Sequence, residues 1–481
     1  TPTVRAPPLP TPPPLPTPGS TTRPWPQFGR HPAASGRQES RWDPRVACTA
    51  STEFRAASTK RGPRRARAAP YTRRMRPWST RPDRRPTRVP LPVLIAPAAV
   101  STALALRPVR RPFAVATAAW VASLPALELP LHVGALAAAA TAPTLTRRPA
   151  RTADRVGVAM AALTWAGLGM VVSRHLAAAD VLDRALRADL GDDAGGTTTT
   201  RTTPRHRTPW LTVLGRPWPL RPRTVRARRG LVYGPDPAAN RFDLYTRTDG
   251  RRPGGGDPAD PAAARSVRGV LVHIHGGHFR AGAPSRESRA MLFDHADRGW
   301  AAISATYHLS PTPESGFPQH LVDIKRLLHW IRTEGPSHGI GADAPIVVAG
   351  SSAGAHIAMM TALTAGDPRF QPGFEHADTA IAGAIGLYGY YGRLGSETRD
   401  ASDPVRHPAS GAPPVAVIHG THDTYTPVRG SRRLVRHLRA GSPNPVVYAE
   451  LPGAQHGFDV VRSPRYLAVV HAVARFTDRL V

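Results

Sequence analysis

From about residue 231 to the end of the chain, short apolar runs alternate with stretches that repeat at helical spacing. No other feature of the sequence constrains the fold as tightly. Runs of strand length fall at 241–247, 268–275, 301–307, 345–350, 380–388, 414–419 and 445–451. Between the third and fourth, Leu321, Ile324, Leu327, Leu328 and Ile331 share one face of a helix, because residues three and four apart are neighbours at 3.6 residues per turn. Strand and helix in alternation build a mostly parallel sheet covered by helices on both faces. The expected class is therefore α/β, with this domain over 231–481.

Ahead of it lie three segments almost free of charge, 90–106, 113–146 and 156–173. About 20 apolar helical residues cross the ~30 Å hydrocarbon layer of a bilayer. The first and third segments come close to that length, and the middle one could hold two short helices broken around Pro125, Glu128 and Pro130. A buried Ala-rich bundle is the soluble alternative, but three such segments in succession leave it little polar surface. A transmembrane helical module is expected over 89–175, then a juxtamembrane helix and basic linker over 176–230. This is a multi-pass arrangement with the membrane as a partner. Arg107, Arg110 and Arg111 precede the middle segment, and Arg147, Arg148 and Arg151 follow it. A helical hairpin there would put both basic loops in the cytoplasm and export the C-terminal domain, whereas the acid-free stretch 201–230 pulls the other way. The side is left open.

Residues 1–88 carry "APPLPTPPPLPTP" and "KRGPRRARAAPYTRRMRPW" and too few aliphatic residues for a core. They read as a disordered Pro/Arg-rich tail with polyproline II near its start. Met75, followed by a short basic stretch and then the first apolar segment, has the look of a membrane protein's N-terminus and is the expected functional start.

The net charge of +31 raises the question of nucleic acid. The excess is concentrated in 1–88 and 201–230, outside any patterned face, so no nucleic-acid partner is expected. Lys60 and Lys325 are the only lysines among 64 basic residues, a bias of composition and no sign of a selected patch. Cys48, the single cysteine, excludes an internal disulfide framework and a cysteine-based zinc site.

The chemistry is concentrated in a few short stretches. "VVAGSSAGAHIAMM" sets Gly350-Ser351-Ser352-Ala353-Gly354 between an apolar strand and a helix. A nucleophile elbow needs that context, because small residues let the chain turn sharply enough to expose Ser352 at the end of the sheet. An unassisted serine is a poor nucleophile; it needs a base, and the base an orienting carboxylate. "VIHGTHDTYTPV" offers Asp423 after one strand and "LPGAQHGFDV" offers His456 after the next, with Asp459 a rival for the acid in the histidine's own loop. In "LVHIHGGHFRAG", Gly276 and Gly277 follow an apolar strand. Glycine weakens a strand, so the pair needs a reason, and an oxyanion loop supplies one: backbone N–H groups at Gly276 and Gly277, with a third at Ala353, could hold a developing oxyanion. His275 and His278 then shape that loop.

"HIHGGHF", "ATYHLSPTPESGFPQHLVDIKRLLHWI", "GSSAGAH", "HGTHDTYTPV" and "QHGF" resemble the α/β-hydrolases of the hormone-sensitive-lipase and carboxylesterase group. With the apolar N-terminal segments and "DPRFQPGFEHADT", the chain is similar to membrane-anchored mycobacterial esterases of the lipase M type over roughly 89–481. The resemblance implies an α/β-hydrolase fold, a serine hydrolase acting on small-molecule or lipid esters, and no metal or organic cofactor. It puts nucleophile, acid and base on Ser352, Asp423 and His456 and the oxyanion glycines on Gly276 and Gly277. Between "LYGYYGRLG" and "GAPPVAVIHG" this chain is shorter than the family's usual helical insert. A peptidase on the same fold, or a scaffold with an inactive hydrolase domain, are the alternatives. The acyl chain length and oligomeric state are not readable.

Overall fold

A computed structural model describes residues 89–146, 152–191, 208–248, 267–312, 314–395 and 398–481. The expectations for residues 1–88, including Met75 and Cys48, lie outside the described residues, as do those for Arg147, Arg148 and Arg151.

The sheet has eight strands: β1 (Val225–Val232), β2 (Arg241–Arg247), β3 (Val270–Ile274), β4 (Ala301–Ala305), β5 (Ile346–Ser351), β6 (Gly383–Leu387), β7 (Val415–Gly420) and β8 (Val446–Leu451). Their order is β1-β2-β4-β3-β5-β6-β7-β8. β1 and β2 form an antiparallel edge, β2 pairs antiparallel with β4, and the remaining pairs are parallel. β3 to β7 are buried along their whole length, which is why they read as nearly continuous apolar runs. The seven strand candidates correspond to β2 to β8.

β1 is absent from those candidates. Its sequence, VRARRGLV, carries three arginines and a glycine, and it lies within the acid-free stretch read as linker. An edge strand needs only one covered face, so Val225 is buried while Arg226, Arg229 and Gly230 face water.

Helices cover both faces. α6 (Arg289–Asp297) and α10 (Pro464–Asp478) pack on one, with Met291, Val469, Val473 and Phe476 in its core. α7 (Gln319–Thr333) and α8 (Ala353–Leu363) cover the other through Leu321, Ile324, Leu328 and Ile357, and α9 (Arg429–Gly441) adds Leu434 and Leu438.

The N-terminal apolar segments are helical: α1 (Leu91–Leu106), α2 (Phe113–Glu128), α3 (Pro130–Leu145) and α4 (Thr152–Leu190), and the short α5 (Trp210–Gly215) precedes β1. The hairpin expected of the middle segment does not form. α2 and α3 meet at 84° across Leu129, with Pro130 opening α3, where a proline's missing N–H costs nothing. α2 lies on the α/β domain, where Glu128 reaches the buried Arg465 at 3.4 Å. α3 leaves to pack against α1 and α4, with Gly134 beside Trp165 and Ala137 beside Ala161.

α4 is a single helix of 39 residues, long and apolar enough to cross a membrane; the bent pair of α2 and α3 passes the same test only together. Its last turns join the sheet's core through Ala178, Leu182 and Leu186, spaced four apart on one face. Asp183 pairs with Arg475, and Asp189 lies 2.9 Å from Arg439. The packing thus does not divide at residue 231: both the end of α4 and β1 belong to the α/β fold, although 176–230 reads from sequence as a juxtamembrane helix and linker.

Candidate active site

β5 ends at Ser351 and α8 begins at Ala353, so Ser352 occupies the turn between them at φ 56°, ψ −115°. Few non-glycine residues tolerate that conformation, and strain of this kind is held in place only by tight surroundings. The glycines provide the room. A Cβ on Gly350 would come within 2.1 Å of the Gly354 carbonyl oxygen, and one on Gly354 within 2.1 Å of that of Ile274.

Ser352 Oγ lies 2.9 Å from His456 Nε2, and His456 Nδ1 lies 2.8 Å from Asp423 Oδ2. The three residues come from the loops following β5, β7 and β8. Asp423 Oδ1 accepts from the backbone N–H groups of Tyr425 (2.9 Å) and Thr426 (2.8 Å), and Oδ2 also accepts from the Thr426 hydroxyl at 3.0 Å. His419 Nε2 is 3.4 Å away. Burial alone would raise this carboxyl, but the imidazoles of His456 and His419 and the donors around it hold it well below the usual carboxylate range. A fixed negative charge at Nδ1 selects the tautomer with Nε2 free to take a proton from Ser352 and stabilises the imidazolium that results.

Asp459, the rival acid, turns the other way. Fully buried, it accepts from the hydroxyls of Ser288, Ser351 (2.7 Å) and Tyr388 below the elbow. His273 Nε2 sits 3.0 Å from Ser351 Oγ and completes this polar floor.

Of the three expected oxyanion donors, Gly276 is corrected by the structure. Its N–H donates to Glu287, and a Cβ there would meet the Ser351 carbonyl oxygen and Ser352 Cβ at 2.9 Å. The residue serves the close approach of the loop to the elbow and has no free donor. The N–H groups of Gly277 and Ala353 have no partner among the described residues. Gly277 is at φ 121°, and a Cβ on it would fall 1.7 Å from the Ala281 carbonyl oxygen. Gly277→Val is therefore expected to displace the loop and lower kcat by roughly 10²- to 10³-fold, as loss of one oxyanion donor does. Ser352 should still react with a fluorophosphonate probe, only more slowly; undiminished turnover would remove Gly277 from the site.

Other neighbours were not legible in advance. Trp120 of α2 donates from Nε1 to the His456 carbonyl at 2.9 Å and stands edge-on to its ring at 5.7 Å. Tyr425 lies 5.0 Å from His456 and 5.6 Å from Trp120. Trp120 is 336 residues from His456, and no local pattern announces such a contact. Thr426 does carry a signal, since an aspartate followed by a threonine three residues on is a common self-bonded turn. Among the described residues, no group of three or more His, Cys, Asp or Glu could hold a metal ion.

A mostly parallel sheet with an antiparallel edge, helices on both faces and a serine elbow after β5 define an α/β-hydrolase. Residues 259–391 match the BD-FAE family model. The chain is 32% identical to the probable carboxylic ester hydrolase LipM of Mycobacterium tuberculosis, over 80% of this chain and 91% of that protein. It is 30% identical to esterase LipQ of the same organism, over 74% and 83%, and 33% identical to esterase LipC, over 54% and 67%. The chain belongs to this family of mycobacterial carboxylic ester hydrolases and is an ester-hydrolysing enzyme.

Proposed function

We propose that the protein is a membrane-anchored serine hydrolase of carboxylic esters in which Ser352, His456 and Asp423 act as nucleophile, base and orienting acid. The reading is carried by the two contacts of His456, 2.9 Å to Ser352 Oγ and 2.8 Å to Asp423 Oδ2. Ser352 Oγ attacks the acyl carbon as His456 Nε2 takes its proton. The N–H groups of Gly277 and Ala353 hold the tetrahedral oxyanion. The imidazolium returns the proton to the departing alcohol, and water then releases the acyl group by the same steps. The test is covalent labelling: a fluorophosphonate should mark Ser352 in the full-length protein. A label elsewhere, or one retained by Ser352→Ala, would overturn the assignment.

Anchoring is supported by the outward face of the helical module. Val93, Leu94, Val100, Leu136, Leu163 and Trp165 are all exposed, Leu163 to 74%. A soluble protein seldom leaves so much contiguous apolar surface in water, whereas acyl chains would cover it at no cost. α1 runs parallel to α4, with Leu91 beside Gly157 and Thr102 beside Gly167, and α3 runs antiparallel to both. In this reading α4 crosses the bilayer and α1 and α3 pack along its apolar half, with α2 lying across the catalytic domain. Full-length protein is expected in the membrane pellet after alkaline carbonate extraction; release into the supernatant would refute the span.

A further inference from the structure

A cavity of about 610 Å³ opens between the loop joining α1 to α2 and the loop that carries Asp423. Arg110, Arg111 and Arg429 line it together with Phe113 and Tyr425. All three arginines are exposed and have no ion pair or hydrogen bond among the described residues. Asp423 also borders the cavity, but both of its carboxylate oxygens are engaged by Tyr425, Thr426 and His456. Three cations thus share one concavity with a single, already hydrogen-bonded carboxylate, an excess of positive charge that a further anion would balance.

The cavity is one aromatic ring from the triad. Tyr425 has its ring 5.4 Å from that of Phe113 on the cavity side and 5.0 Å from the His456 imidazole. Tyr425 also stands 6.1 Å from the ring of His278, in the loop that carries Gly277, so the same side chain borders the cavity and the catalytic groups. Phe113 and Tyr425 give the cavity an apolar wall. We propose that this cavity is an anion subsite, and that the enzyme prefers esters bearing a phosphate or carboxylate group held by Arg110, Arg111 and Arg429. The proposal rests on Ser352 being the nucleophile. The arginines lie where α1 and α4 reach the catalytic domain, the level of lipid headgroups if α4 spans, so the anion is either a lipid headgroup or the acidic end of a soluble ester.

The experiment compares full-length enzyme in a neutral detergent on matched pairs of esters. The soluble pair is p-nitrophenyl butyrate and mono-p-nitrophenyl glutarate; the lipid pair is dioctanoylglycerol and dioctanoyl phosphatidic acid. The readout is the ratio of kcat/KM, anionic over neutral. In wild type the ratio should exceed one in at least one pair, and the pair in which it does identifies the source of the anion. Arg110→Gln, Arg111→Gln and Arg429→Gln combined should lower that ratio by roughly 10- to 100-fold, the range for losing charge-assisted contacts, and lysine at the same positions should restore most of it. If the triple variant does not fold, Arg429→Gln alone, at the exposed start of α9, should lower the ratio in the same direction. Inorganic phosphate should raise KM for the anionic ester more than for the neutral one. A ratio that ignores both the substitutions and phosphate, while Ser352-dependent hydrolysis of the neutral ester continues, overturns the subsite and leaves the esterase intact. Absence of any Ser352-dependent hydrolysis would instead sink the reading on which it rests.

Discussion

Ser352→Ala and His456→Ala are each expected to lower kcat by about 10⁵- to 10⁶-fold with little change in KM. Removing the serine or the histidine of such a triad costs nearly as much as removing all of it, since neither the proton transfer nor the attack proceeds without its partner. Asp423→Ala should cost less, about 10⁴-fold, because Ser352 and His456 remain in contact and only the tautomer and charge at Nδ1 are lost. Asp459→Ala is the discriminating control. Its carboxylate bonds to Ser288, Ser351 and Tyr388 and stays away from the imidazole. The variant should lose stability, by about 1–3 kcal/mol for each buried hydroxyl left unpaired, while its folded fraction turns over within roughly tenfold of wild type. Steady-state kinetics paired with thermal unfolding separate the two effects. If Asp459→Ala matches Asp423→Ala in kcat, the acid has been assigned to the wrong loop.

A steep loss of stability in mild acid is the second large effect expected. Burial lowers His273 and His320 to about 3, and His275, His295 and His356 to about 4. These are bases held neutral in the fold, while the unfolded chain takes up their protons near pH 6.5. Their contribution is complete above pH 6.5 and is lost as the pH falls towards 4, because there the unfolded state binds more protons. Each site costs about 1.4 kcal/mol per pH unit in that window, so five together approach 7 kcal/mol per unit, comparable with the whole stability of a domain at ~5–15 kcal/mol. The melting temperature of the full-length protein should fall steeply between pH 6.5 and 5. His320→Phe places a ring of similar shape among Phe279, Phe317 and Tyr307 and should reduce the slope by about one proton. A melting temperature that is flat across this range would show that these imidazoles are not buried as described.

Much of this protein was determined by local sequence. The strand–turn–helix around Ser352 is legible because it depends on neighbours: β-branched residues before the turn, Gly350 and Gly354 where no side chain fits, and an apolar helix after it. The same holds for β3 to β7, whose burial along their whole length leaves them mostly apolar, with His273, Ser304 and His419 among the few polar residues in them, and for the order of Ser352, Asp423 and His456 after β5, β7 and β8. Tertiary structure alone decided the rest. β1 reads as linker because an edge strand tolerates arginine on its wet face, and its identity as a strand comes from pairing with β2. The end of α4 reads as a juxtamembrane helix until Leu182 and Leu186 are seen in the core of the sheet. Gly276 reads as an oxyanion donor, but its N–H donates to Glu287, a carboxylate that only the folding of the next loop brings there. Trp120 reached His456 across 336 residues, and Arg110 and Arg111 before α2 met Arg429 of α9 beside Asp423. Spacing along a chain specifies backbone conformation, which is a local energy; which side chains then share a cavity depends on how whole elements pack, and that information is spread over the entire sequence.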